Sequence, residues 1–100
     1  MPDRTSQIEA LLRGWALGDE DRTALQGYDE SDNEQSERLS RLRTIMGGLY
    51  LLFPENPGLR RDWVQRENGA LGWRSPLQVI LADKNGLQTV AKLIRAQLQE

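Results

Sequence analysis

The sequence predicts an all-α fold of about five to six helices, with a degenerate helix-turn-helix-like part at its N-terminal end. Three observations carry this. Apolar residues recur at three- and four-residue steps over most of the chain. No segment alternates with the period of two that a half-buried strand requires. Asn-Pro, Ser-Pro and Asn-Gly pairs fall where helices start or turn. A chain of 100 residues suits one modest core.

Ile8, Leu11, Leu12 and Trp15 have the i, i+3, i+4, i+7 spacing of one buried face, predicting a first helix over residues 8–17. Ser6 with Glu9 three residues on has the capping-box pattern, and Gly18 is placed to end the helix. A second helix is expected from Asp19 or Glu20 to Gln26, with its carboxylates at the positive N-terminal end. Ala24 and Leu25 would face inward and Gly27 would stop it. Asp29 to Glu37 then brings five carboxylates in nine residues with nothing apolar. It reads as a solvated linker or the exposed first turns of the next helix, expected to bury nothing.

From Glu37 the pattern changes. Leu39, Leu42, Met46, Leu49 and Phe53 form a stripe that Ile45, Tyr50 and Leu52 widen, predicting the longest helix, ended by Pro54. Gly47 and Gly48 interrupt it, either for close approach of another helix or as a kink. Asn56-Pro57 starts a short helix, since Pro at the first helical position loses only a donor that has no intrahelical partner. Leu59 and Trp63 share its inner face. Asn68 to Arg74 is too glycine-rich to continue it. Ser75-Pro76 repeats the start signal for a helix with Leu77, Ile80 and Leu81 inward, ending near Asp83. Asn85-Gly86 marks a turn. The last helix, Leu87 to about Gln99, carries Leu87, Val90, Ala91, Ile94 and Leu98 on one stripe, with Lys92 and Arg95 where they complement its dipole.

Composition excludes more than it identifies. Without Cys or His the chain has no disulfide, no Cys/His zinc site and no histidine general base, and no catalytic residue, metal ligand or cofactor site is predicted. The longest apolar run, Leu49 to Phe53, is far short of the ~20 residues that span a bilayer, and a cytoplasmic protein is expected. The net charge of −2 conceals an asymmetry. Residues 1–37 hold three Arg against ten Asp and Glu, a net of −7, whereas residues 38–100 hold ten Lys and Arg against five Asp and Glu, a net of +5. Such a split suits halves that face each other, halves that steer different partners, or two solvated faces of one helical domain. The chain is divided into an acidic N-terminal helical segment, 1–37, open to dimerisation, and a helical binding domain, 38–100.

Two binding chemistries follow. The first two helices begin a helix-turn-helix, but acidic residues occupy the place of a basic recognition helix and would meet the phosphate backbone with repulsion. The second is protein binding by the C-terminal half. Arg74 sits between Gly72-Trp73 and Ser75-Pro76, so its backbone is tightly constrained. Its guanidinium suits cross-linking of nearby carbonyls, with presentation to an acidic partner as the alternative. Trp73 is either an exposed contact or a lid over Leu71 and Leu77, whereas Trp15 and Trp63 are assigned to the core.

The run Asn68-x-Ala70-Leu71-Gly72-x-Arg74-Ser75-Pro76-Leu77, following Leu52-Phe53-Pro54, resembles the Xre/MbcA/ParS antitoxins in their toxin-binding domain. The resemblance covers Arg38 to Glu100 well and Ile8 to Tyr28 loosely. It implies an antitoxin, not an enzyme, that neutralises a cognate RES-type toxin, a protein that destroys NAD, by covering its active site. A homodimer within a larger complex is expected separately, because the first and longest helices carry more apolar face than so short a chain buries alone. The implied toxin-binding residues are Trp73, Arg74, Arg95, Gln97, Leu98, Gln99 and Glu100. Asn68, Gly72, Ser75 and Pro76 would shape the loop. Trp73 stands where the family most often has glycine, and many relatives continue past the last helix in a short tail, so here the helix itself would block. The alternative is a DNA-binding transcriptional regulator on the same scaffold.

Overall fold

Local capping chemistry and one shared core decide where the helices begin and how they pack. The computed structural model describes residues 4–15, 17–26 and 31–99. Its elements are α1 (Arg4–Leu12), α2 (Asp19–Gln26), α3 (Asp32–Leu52), α4 (Pro57–Asp62), α5 (Pro76–Ala82) and α6 (Gly86–Leu98). Two 3₁₀ turns, Trp63–Gln65 and Gly69–Leu71, lie between α4 and α5. The fold is all-α, with no strand among the described residues and one isolated bridge between Asn68 and Arg74. Gly27, Asp29, Glu30 and Glu100 lie outside the described residues.

Two start signals close as expected, and a third cap was not anticipated. The Asn56 side chain accepts from the Leu59 N–H at 3.0 Å. Ser75 Oγ accepts from the Gln78 N–H at 3.1 Å while Gln78 Oε1 accepts from the Ser75 N–H at 2.8 Å, a full capping box. Ser31 and Glu34 build the same box ahead of α3.

The first helix departs from its reading. It begins at Arg4, so Ser6 lies inside the helix and is not its cap. It ends at Leu12, where 3₁₀-type bonds from the Gly14 and Trp15 N–H groups to the Leu11 and Leu12 carbonyls tighten the turn. Trp15 still reaches the core, at 3 % exposure, but from beyond the helix. In α2, Leu25 is buried and Ala24 is exposed.

The acidic stretch also does more than expected. Gln35 is buried, and its Nε2 donates to the Gln26 carbonyl at 3.1 Å. Arg38 donates to the Leu25 carbonyl at 2.9 Å. These two side chains occupy carbonyls that the end of α2 leaves without intrahelical partners, and so tie α2 to α3.

α3 runs unbroken through Gly47 and Gly48. Leu39, Leu42, Ile45 and Leu49 are its buried face, with Met46, Leu52 and Phe53 packed at the margin and Tyr50 exposed. α6 packs chiefly against α3 and α5, and α1 covers another side of α3. The direction of α6 follows from its neighbours. One cleft joins Glu34, Glu37 and Arg38 to Lys84 and Leu87, a second joins Ser40 and Arg41 to Ala91 and Lys92, and Gly48 meets Ile94 and Leu98. The two helices therefore run parallel, with their C-terminal ends side by side. Gly48 makes this possible, because a Cβ there would overlap the Ile94 Cγ2 methyl. Gly86, read from sequence as a turn residue, begins α6 and serves close packing: a Cβ would collide with the Val79 carbonyl and stand 2.5 Å from Ile80 Cα.

A single buried cluster runs from Ile8 to Ile94 and includes Trp15 and Trp63. On α5, Leu77, Val79 and Ile80 face it while Leu81 is exposed, and on α6 Leu98 is also exposed. Both outward leucines lie at the edge of an apolar stripe wider than the packed contact.

Candidate protein-binding site

Asn68 organises the turn before α5. Its side chain accepts from the Ala70 N–H at 3.0 Å. Its carbonyl accepts from the Leu71 and Trp73 N–H groups at 2.9 and 3.0 Å, and its own N–H donates to the Arg74 carbonyl at 3.1 Å. Gly72 takes the left-handed conformation with φ 67°. The chain then needs a second residue of the same hand, and that residue is Trp73, with φ 66°.

Trp73 is the only non-glycine residue with positive φ among those described. Holding a side chain there costs on the order of 1–2 kcal/mol. The indole lies across Gly69, 3.3–3.6 Å from where a Cβ would stand, and the residue remains 71 % exposed. Of the two sequence readings, the exposed side chain is the one found, while Leu71 and Leu77 are buried. Arg74 is exposed as well. Its Nε donates to the Leu71 carbonyl at 3.3 Å, one cross-link of the kind the sequence suggested. Leu71, Ser75 and Pro76 are buried and fix the turn from below.

The remaining residues singled out from sequence sit elsewhere. Arg95, Gln97 and Leu98 form the last turn of α6, and Gln99 caps it through an N–H bond to the Arg95 carbonyl at 3.2 Å. This end lies beside the end of α3. There Tyr50 is 63 % and Leu51 72 % exposed, and Arg60 from α4 stacks over the Tyr50 ring at 4.2 Å while donating to the Phe53 carbonyl. Sequence reasoning missed Tyr50 and Leu51 as surface, because it placed Tyr50 in the widened core stripe. Among the described residues no three His, Cys, Asp or Glu side chains group to hold a metal, and no helix is long and apolar enough to cross a membrane.

These surfaces coincide with a recognisable unit. Residues 48–97, half of the chain, match the family model of the antitoxin Xre/MbcA/ParS C-terminal toxin-binding domain. The chain belongs to this family. In the antitoxin, the matched span starts at the close-packed Gly48, passes through α4, both 3₁₀ turns and α5, and ends on the last turn of α6. The Asn68–Pro76 turn and the exposed end of α6 thus both lie in its toxin-binding domain, apart from Leu98 and Gln99 just past the match. Searches of curated proteins and of solved structures gave no significant match.

Proposed function

We propose that this antitoxin neutralises a RES-type, NAD-degrading toxin by laying the end of α6 over the mouth of its active site, with Trp73 as a second anchor. The observation that supports this reading best is the exposed Trp73 held in a left-handed backbone inside the toxin-binding domain. Strain retained at the surface, with no burial in return, is the mark of a preformed contact, and Trp is the residue most enriched among binding hot spots. Arg74 flanks it with a guanidinium only partly committed to the loop.

The end of α6 adds Arg95, Gln97, Leu98 and Gln99, with Glu100 following. A rigid helix end closes a cavity without mimicking the substrate, so no catalytic group is required of the antitoxin. In this reading residues 38–100 bind the toxin, and residues 1–37 support a homodimer within a cytoplasmic toxin–antitoxin complex.

Co-expression of the antitoxin with the protein encoded next to it, followed by an assay of NAD consumption, tests the proposal. The expected result is NAD loss by the neighbour alone and its suppression in the complex. A neighbour that binds but does not consume NAD would refute the RES assignment, and a neighbour that does not bind would refute the pairing.

A further inference from the structure

The parallel packing of α3 and α6 leaves a groove along their solvent side whose lining changes in character from one end to the other. Midway lies a cleft of about 210 Å³ lined by Glu37, Arg41, Gln88, Ala91, Lys92 and Arg95. Glu37 is already engaged, by Arg41 at 3.3 Å. Lys92 and Arg95, one turn apart on α6, make no ion pair with any described residue. The cleft therefore carries an excess of positive charge with no internal partner.

Towards the C-terminal ends the groove turns apolar. Leu98 projects beside Gly48, 3.5 Å from where a Cβ would stand, and is 39 % exposed. Leu51 lies one turn beyond Gly48. Gly47 precedes them with nothing within 4 Å of its Cβ position, so the rim there is bare backbone open to solvent. Two cations and two exposed leucines, with Leu98 one turn past Arg95 on α6 and Leu51 one turn past Gly48 on α3, give an apolar patch with a charged flank. That is the composition of a protein-binding face.

We infer that the α3–α6 groove receives an amphipathic segment of the toxin, one that sets an apolar side chain between Leu51 and Leu98 and carboxylates against Lys92 and Arg95. This deepens the antitoxin reading and rests on it, naming an acidic, amphipathic element as the part of the toxin recognised. Charge complementarity selects that occupant: Lys92 and Arg95 attract carboxylates and would repel a basic helix. Gly47 lets the backbone of the segment approach, a role that its helical position does not otherwise need.

The test uses the full antitoxin and its cognate toxin, with affinity measured by calorimetry at two salt concentrations and folding checked by thermal melts. Gly47→Trp adds bulk only where space is open, so it should melt no lower than the parent while weakening toxin binding at least about thirtyfold, the loss typical of a disrupted hot spot. Lys92→Glu with Arg95→Glu should weaken binding about tenfold or more and flatten its salt dependence. Gly47→Trp and the charge reversals binding like the parent, while Trp73→Gly binds poorly, would overturn the groove and leave the antitoxin reading standing. Failure of the parent chain itself to bind would overturn both.

Discussion

Alanine at Gly47 and alanine at Gly48 put the same methyl group on neighbouring positions of one helix, yet the structure assigns them different outcomes. Both replacements gain about 1 kcal/mol of helix propensity, because glycine is the more costly residue in a helix interior. At Gly47 nothing stands within 4 Å of the new Cβ, so the gain is kept. At Gly48 the Cβ overlaps Ile94 Cγ2 and lies 3.5 Å from both Ile94 Cβ and Leu98 Cδ1. Ile94 is fully buried and, being β-branched, has essentially one χ1 rotamer in a helix, so it does not swing aside. Overpacking of this kind costs about 1–3 kcal/mol. Because the propensity gain is common to both variants, their difference isolates the packing cost. A midrange gap of about 2 kcal/mol corresponds to roughly 8–16 °C in Tm for a domain of this size. Urea and thermal unfolding of both variants and the parent would read it, with an unchanged m-value confirming that the denatured state is not the cause. The reasoning is refuted if Gly48→Ala melts within about 2 °C of Gly47→Ala, since α3 and α6 would then not cross at Gly48.

Gly86→Ala should be worse than Gly48→Ala, at about 3 kcal/mol or more, because its Cβ meets backbone atoms of Val79 and Ile80 that no rotamer change can clear; urea melts of the two variants compared directly decide it. Ser75→Ala should cost about 1 kcal/mol through loss of the α5 capping box, with Ser75→Thr recovering most of it in the same melts. Trp73→Gly should shift stability by less than about 1 kcal/mol, since relief of backbone strain offsets the extra freedom of glycine and the lost stacking on Gly69. The same change should weaken toxin binding at least about thirtyfold, measured by titration, and unaltered affinity would remove Trp73 from the interface.

What the sequence discloses here depends on how far the deciding atoms lie from one another along the chain. The starts at Asn56-Pro57 and Ser75-Pro76 are legible because each is made by hydrogen bonds three residues long. The start of α1 misleads for the same reason: Ser6 and Glu9 have the right spacing, but the helix is already under way at Arg4. Trp15 fits a helical stripe and is buried, although a turn delivers it. Leu81 and Leu98 look inward on a helical wheel, and only the positions of α3 and α5 show where the packed contact stops. Gly48 and Gly86 differ from Gly47 through neighbours in distant elements, which no local pattern encodes. For the candidate site, the glycine-rich turn before Arg74 and the Ser75-Pro76 start after it were readable from residue types alone. The left-handed Trp73 was not, because a bulky aromatic in that conformation runs against its own preference.

The parallel course of α3 and α6 also governs when this protein can fold. Parallel neighbours need a crossover, and here α4, both 3₁₀ turns and α5 all intervene between the two helices. The contact of Gly48 with Ile94 thus closes a long loop, whose entropy must be met before the core gains from it. During synthesis the face of α3 that α6 will cover emerges early, and it stays bare until Ile94 has been added. A ribosome that stalls inside α6 would release a chain with an exposed apolar helix, an open target for proteases. The residues that complete this part of the core thus follow, in order of synthesis, the helix face they cover.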